Sequence, residues 1–88
     1  MRVDELIWDD WNEEHIAKHG VSPGEVEEAC QTKPVKAYRT RNDTYALLGT
    51  TDSGRHLCVF LAPRGKGVFY VVTARDMHPR ERRSFEGR

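Results

Sequence analysis

Four arginines crowd one short segment late in the chain. Arg75, Arg80, Arg82 and Arg83 follow in quick succession, with His78 and Glu81 among them. An arginine stays charged, and its planar fork grips two phosphate oxygens at once. The cluster comes straight after an apolar run, Val68 to Ala74, and a rigid strand ending in cations is a place to hold a phosphate. The bland alternative is a solvated helix whose charges pair among themselves, for instance Arg75 with Glu81. His78 is a candidate acid or base, because imidazole is the side chain that exchanges protons near neutral pH; its bland reading is a solvent-facing residue at a helix start. Glu81 could accept a proton or orient an arginine. Arg55 stands at the head of a second apolar run, beside His56. His15 and His19 are four apart on a predicted helix, but no carboxylate completes a ligand set, so no metal site is expected.

The elements that must position these residues are legible in the same sequence. The runs Leu57 to Ala62 and Val68 to Ala74 flank the glycine-containing turn Pro63 to Gly67 and predict a hairpin. Neither run alternates cleanly with polar residues, which places both strands at the centre of a sheet covered on both faces. In such a hairpin Arg55 and Arg75 lie at the same edge, where their side chains could converge. Val35 to Thr40 and Thr44 to Thr50 predict two more strands joined at Asn42-Asp43, and Thr51 to Gly54 forms a further turn. Together these make a four-stranded antiparallel meander. Val3 to Trp8 predicts a short edge strand. Asp10 and Glu13 suggest a capping box for a helix through His19, with Trp8, Trp11, Ile16 and His15 on its buried side and Gly20 as a left-handed stop. Ser22-Pro23-Gly24-Glu25 opens a second helix, with Val21 against Val26 and a buried stripe of Val26, Ala29 and Cys30. Asp76 or His78 opens the last helix.

The chain of 88 residues has room for one domain, 1–88. At 38% hydrophobic and 32% charged it is globular rather than disordered. Cys30 and Cys58 are isolated in apolar patterns, which suits small core residues of a cytosolic protein better than a disulfide scaffold or a zinc ribbon. No signal-like or membrane-spanning apolar stretch is present, so a cytoplasmic location and no membrane partner are expected. The net charge of zero conceals an asymmetry. Residues 1–32 carry two basic and nine acidic side chains, a net −7; residues 33–88 carry twelve and five, a net +7. A basic half could face nucleic acid and an acidic half a basic partner, or the two could neutralise each other across the fold.

Three strings resemble the BrnT family of toxins from bacterial toxin–antitoxin systems: IWDDWNEEHIAKHGVSPGEVEEA at 7–29, LLGTTDSGRHLCV at 47–59 and TARDMHPRER at 73–82. The Lys18-His19-Gly20-Val21 string, and Ala74-Arg75 with Glu81-Arg82, are the most specific parts. The resemblance implies an α+β, RelE-like fold and a ribonuclease that needs no metal or other cofactor and inhibits translation. It also implies a cognate antitoxin, through whose complex alone DNA is bound. The chain departs from the family pattern in three places. His15 stands where an Asn is usual, Phe85 where a Tyr is common, and His78 where a small hydroxyl residue is common.

Metal-free RNA cleavage needs an acceptor for the 2′-hydroxyl proton, cations at the developing phosphorane and a donor for the leaving 5′-oxygen. Arg55, Arg75 and Arg82 are the candidate cations, and His78 and Glu81 the candidate proton carriers. Arg39, Arg41, Arg64, Lys66, Arg80 and Arg83 could contact the RNA backbone, whether free or ribosome-associated. Tyr38, Tyr45, Phe69 and Tyr70 are the aromatics available to stack on bases, unless they lie in the core. Two other readings stay open: a non-catalytic interaction protein that keeps the fold and an antitoxin-like partner, and a nucleic-acid-binding module with no toxin role.

Overall fold

The fold was obtained as a computed structural model and is described for residues 1–87. Strand β1 (Glu5–Ile7) is followed by helices α1 (Asp10–Ala17) and α2 (Pro23–Gln31). Strands β2 (Lys36–Arg39), β3 (Tyr45–Thr50), β4 (His56–Gly65) and β5 (Val68–Asp76) come next, and helix α3 (Pro79–Glu86) ends the chain. The sheet order is β1-β5-β4-β3-β2. Strands β2 to β5 form the antiparallel meander that the sequence predicts. The edge strand β1 adds a parallel pairing on β5, so the sheet has five strands, with β4 and β5 inside it.

Helices α1 and α2 cover one face. Their side of the core holds Ile16, Val26 and Ala29 against Leu47, Val59, Leu61 and Val71. The helix backbone comes closest at Gly49, where a Cβ would lie 2.2 Å from the carbonyl oxygen of Ala29. Helix α3 lies on the other face, where Phe85 packs with Ala46, Leu48 and Cys58.

The second helix forms as predicted. Ser22 caps it reciprocally with Glu25, Val21 and Val26 are buried, and the helix stops at Gln31 before Pro34. The first helix differs. Its cap is Asp9, paired with Asn12 rather than Asp10 with Glu13, and it ends at Ala17, two residues before His19. Asn12 is fully buried, and its amide donates to the carbonyls of Ile7 and Val71, both at 3.0 Å. That role turns the helix so that Trp11 faces solvent, 75% exposed, and not the core. Strand β4 runs on through Pro63 to Gly65, so the hairpin tip shrinks to Lys66-Gly67, with Gly67 in the left-handed region at φ 74°. The Asn42-Asp43 turn forms with both residues left-handed.

One irregularity in the central hairpin decides which face the end of β5 presents. Phe60 pairs with Thr73 but Leu61 pairs with Val71, so Val72 is an extra residue in β5. A bulge of this kind reverses the alternation of side chains beyond it. Phe69, Val71 and Ala74 therefore all reach the α1/α2 side of the core, and Arg75 emerges on the α3 side.

Candidate functional site: an arginine-bearing sheet face

Arg75 leaves the end of β5 and meets the first turn of α3. Its Nη1 donates to Glu81 Oε1 at 2.7 Å and to the Asp76 carbonyl at 3.2 Å, and its Nη2 donates to Glu81 Oε2 at 3.0 Å. Its guanidinium carbon lies 5.3 Å from the centre of the Phe60 ring. Both charged side chains are largely withdrawn from water, at 24% and 16% exposure. The fork-to-fork pairing holds the Glu81 carboxyl down to about 2, helped by the backbone N–H of His78, which donates to Glu81 Oε1 at 2.8 Å. The arginine is held more firmly in its charged form by the same bond. Three of the five guanidinium N–H groups are thereby occupied, and the other two have no hydrogen-bond partner among the described residues.

Arg55 is placed quite differently. The turn that presents it is closed by Thr51, whose backbone N–H donates to the Arg55 carbonyl at 2.9 Å while its hydroxyl accepts from Arg55 N at 3.0 Å. The guanidinium then reaches the α1/α2 side. It donates to Asp76 at 2.7 and 3.2 Å, to the Gly20 carbonyl at 2.8 Å and to both Glu25 oxygens at 3.2 Å. The hydrogen bonds to Asp76 raise its pKa further, and they lower that of Asp76. The expected convergence of Arg55 with Arg75 therefore does not occur: both sit at one end of the sheet, but on opposite faces.

The other candidates divide between surface and platform. His78 is exposed at the start of α3, and Arg80, Arg82 and Arg83 are exposed along it, with Arg82 paired to Glu86 at 3.2 Å. Lys36 reaches across from β2 to Ser84, donating to its hydroxyl at 2.9 Å. Arg39 pairs with Asp43 at the far sheet edge, and Arg41 is exposed beside it. Arg64 lies over the Tyr70 ring, 5.3 Å from its centre, and Lys66 is exposed at the hairpin tip. His56 turns away from Arg55 to meet Phe85 edge-on at 5.8 Å. His15 and His19 meet edge-on, with ring centres 5.9 Å apart. Among the described residues no three His, Cys, Asp or Glu side chains converge as a metal-ligand set. Burial pushes the Cys30 and Cys58 thiols up to about 12, which leaves both as core residues.

The structure also sorts the aromatics. Tyr45 and Phe69 pack edge-on on the helix side and belong to the core. Tyr38 is 42% exposed on the Arg75 side. Three participants were not singled out by sequence reasoning. Phe60 lies in an apolar run that reads as core throughout. Asp76 has its partner far away in sequence. The signal for Asn12 was present, as Asp9-x-x-Asn12 is itself a capping pattern.

The sequence matches, over residues 8–81, the family described as ribonuclease toxin, BrnT, of type II toxin–antitoxin systems. Among solved structures, the crystal structure of the Brucella abortus ribonuclease toxin, BrnT, superposes with a TM-score of 0.67 at 23% identity, covering 84% of this chain and 96% of that one. At that identity the likeness establishes the fold, a mixed α+β architecture. No curated protein matches the chain.

Proposed function

Because this chain belongs to the BrnT ribonuclease toxins of type II toxin–antitoxin systems, we propose that it cleaves RNA without a metal, on the face that carries Arg75, and so inhibits translation in the cytoplasm. A family of this type implies a cognate antitoxin, and in this reading the antitoxin covers the same face and supplies the DNA contact. Residues 1–88 act as a single BrnT-like domain on a RelE-like plan. The observation that carries the reading is the Arg75 site. One guanidinium is fixed by Glu81 and Phe60 at the mouth of a face framed by α3 cations, and it keeps N–H groups to spare.

Fixing matters because a phosphorane is stabilised by charge already in place, not by charge that must be gathered. Glu81, held ionised, orients Arg75. It is a weak base for the same reason, so proton transfer falls to His78, which α3 presents beside the pair. Arg82 supplies a second cation one turn into α3. Arg55 acts as a tie between α2 and the sheet.

The test is cleavage of a labelled RNA in excess chelator, with and without ribosomes, by the parent protein and by Arg75→Ala. Cleavage that survives chelation and disappears in the variant supports the proposal. Equal cleavage by both proteins removes Arg75 from the site. The absence of cleavage in every condition favours the second reading, an interaction protein without nuclease activity. That reading draws on one observation: both strand-end arginines are already paired with carboxylates.

A further inference from the structure

Helix α3 covers only part of its sheet face. It spans the row Lys36, Leu48, Cys58 and Arg75, reached through Ser84, Phe85 and Glu81. The next row toward the hairpin consists of Tyr38, Ala46, Phe60 and Thr73, paired in register across four strands. Among the described residues no helix lies over its outer part. Tyr38 is 42% exposed, Val72 at the bulge is 39% exposed, and Phe60 and Thr73 are half-buried. Neighbouring strands are about 4.8 Å apart, so the two rings stand roughly 10 Å from each other with only the Ala46 methyl between them. The row beyond it holds Tyr70, paired between Ala62 and Ile7.

Cations frame most of this surface, and one acid meets its rim, where the Tyr70 hydroxyl donates to the Asp9 carboxylate at 3.1 Å. Arg75 lies over Phe60 and Arg64 over Tyr70, each at 5.3 Å. The acid nearest Arg75 is Glu81, and both of its oxygens are bonded to that arginine. Flat rings interleaved with guanidinium groups suit one ligand chemistry. Unpaired bases stack on aromatic faces and arginine planes while their phosphates meet the cations. A duplex keeps its base faces inside and cannot use such rings. We propose that the Tyr38–Phe60 row is a base-stacking platform for single-stranded RNA, feeding the strand to Arg75. This rests on the nuclease reading only for what happens to the strand once bound.

The platform is tested with a labelled single strand of 2′-O-methyl ribonucleotides, which cannot be cleaved, and with the same strand in a duplex. Tyr38 sits on an edge strand and is well exposed, so Tyr38→Ala should fold. Stacking contributes about 1–3 kcal/mol per base, so this variant should bind the single strand roughly 5- to 150-fold more weakly. Tyr38→Phe keeps the ring, and with it the stacking, and should bind within about twofold of the parent. The duplex should bind more weakly than the single strand. A readout in the unaltered protein removes any dependence on folding: on titration the ring resonances of Tyr38 and Phe60 should shift, while the Trp11 indole on α1 stays put.

Unchanged affinity in Tyr38→Ala overturns the proposal, and so does a duplex bound as tightly as the single strand. A shift at Trp11 in place of Tyr38 puts the strand on the helical face and also overturns it. Tyr38-dependent binding without cleavage of an ordinary RNA leaves the platform standing and removes the nuclease reading. Cleavage with the same KM in parent and Tyr38→Ala does the reverse: it overturns the platform and leaves the nuclease reading standing.

Discussion

Arg75 and Glu81 form the pair on which residue-scale expectations rest. The carboxylate accepts two parallel N–H bonds, a geometry that a lysine cannot reproduce. Arg75→Lys should therefore lose at least tenfold in cleavage rate while keeping the charge and the fold, as measured by single-turnover kinetics beside thermal unfolding. A rate close to the parent's would show that charge alone suffices. The same pair predicts a pH dependence. The folded-state value of Glu81 is lowered from 4.5 to about 2, so its stabilisation is complete above about 4.5 and is lost as pH falls toward 2. A depression of that size corresponds to about 3 kcal/mol. Glu81→Gln should flatten this acid limb, measured as unfolding free energy from pH 6 down to pH 2.5. An unchanged slope in the variant would place the acid sensitivity elsewhere. The pairing of Arg75 with Glu81 is legible in the sequence because one turn into a helix brings the two within reach. The partners of Arg55 are not legible, because Glu25, Gly20 and Asp76 come from three separate stretches.

Elements decide which face a residue joins, and here a single extra residue does so. Simple alternation along β5 would put Val71, Thr73 and Arg75 on one face. The bulge at Val72 separates Val71 from Arg75 and sends the arginine to α3. Runs of apolar residues predict the strands and the meander well, since burial on both faces demands them. They carry no mark of a bulge, and so the predicted meeting of Arg55 with Arg75 fails. Caps are legible when the capping box is the usual Ser-x-x-Glu, as in α2. The first helix is displaced because Asp9-Asp10 offers two possible starts, and buried Asn12 selects the first. What Arg55 joins is then an assembly of elements: the end of α1, the start of α2 and the ends of β4 and β5. Arg55→Met should lower stability by about 2 kcal/mol, because charge-assisted bonds to partly covered carboxylates are lost. For a domain of this size that is roughly 8–16 °C in melting temperature. Cleavage measured well below the melting point should remain. A variant with a normal melting point and no cleavage would instead return Arg55 to the reaction.

At the scale of the molecule the sheet separates two electrostatic environments. The acidic side chains of residues 1–32 lie mostly on the layer built by α1 and α2, and Arg75, Arg80, Arg82 and Arg83 frame the opposite face, while Arg55 and Arg39 reach the helical side. Zero net charge is thus the sum of two fields of opposite sign, and a polyanion meets only one of them favourably. That has a measurable consequence for how binding responds to salt. For single strands, each neutralised phosphate contributes about −0.7 to the slope of log affinity against log salt. If Arg64, Arg75 and the exposed arginines of α3 engage roughly three or four phosphates, the slope should be roughly −2 to −3. Affinity would then fall roughly 20- to 50-fold between 50 and 200 mM salt by the same relation. Arg80→Ala on α3 should reduce the slope by about 0.7. Lys18→Ala, on the helical layer, should leave it unchanged, although it removes the same charge from the same small protein. A salt titration of the two variants side by side therefore locates the strand without any structure of the complex. Equal loss from both would mean that the RNA senses net charge rather than a face, and the division of the molecule by its sheet would then have no part in recognition.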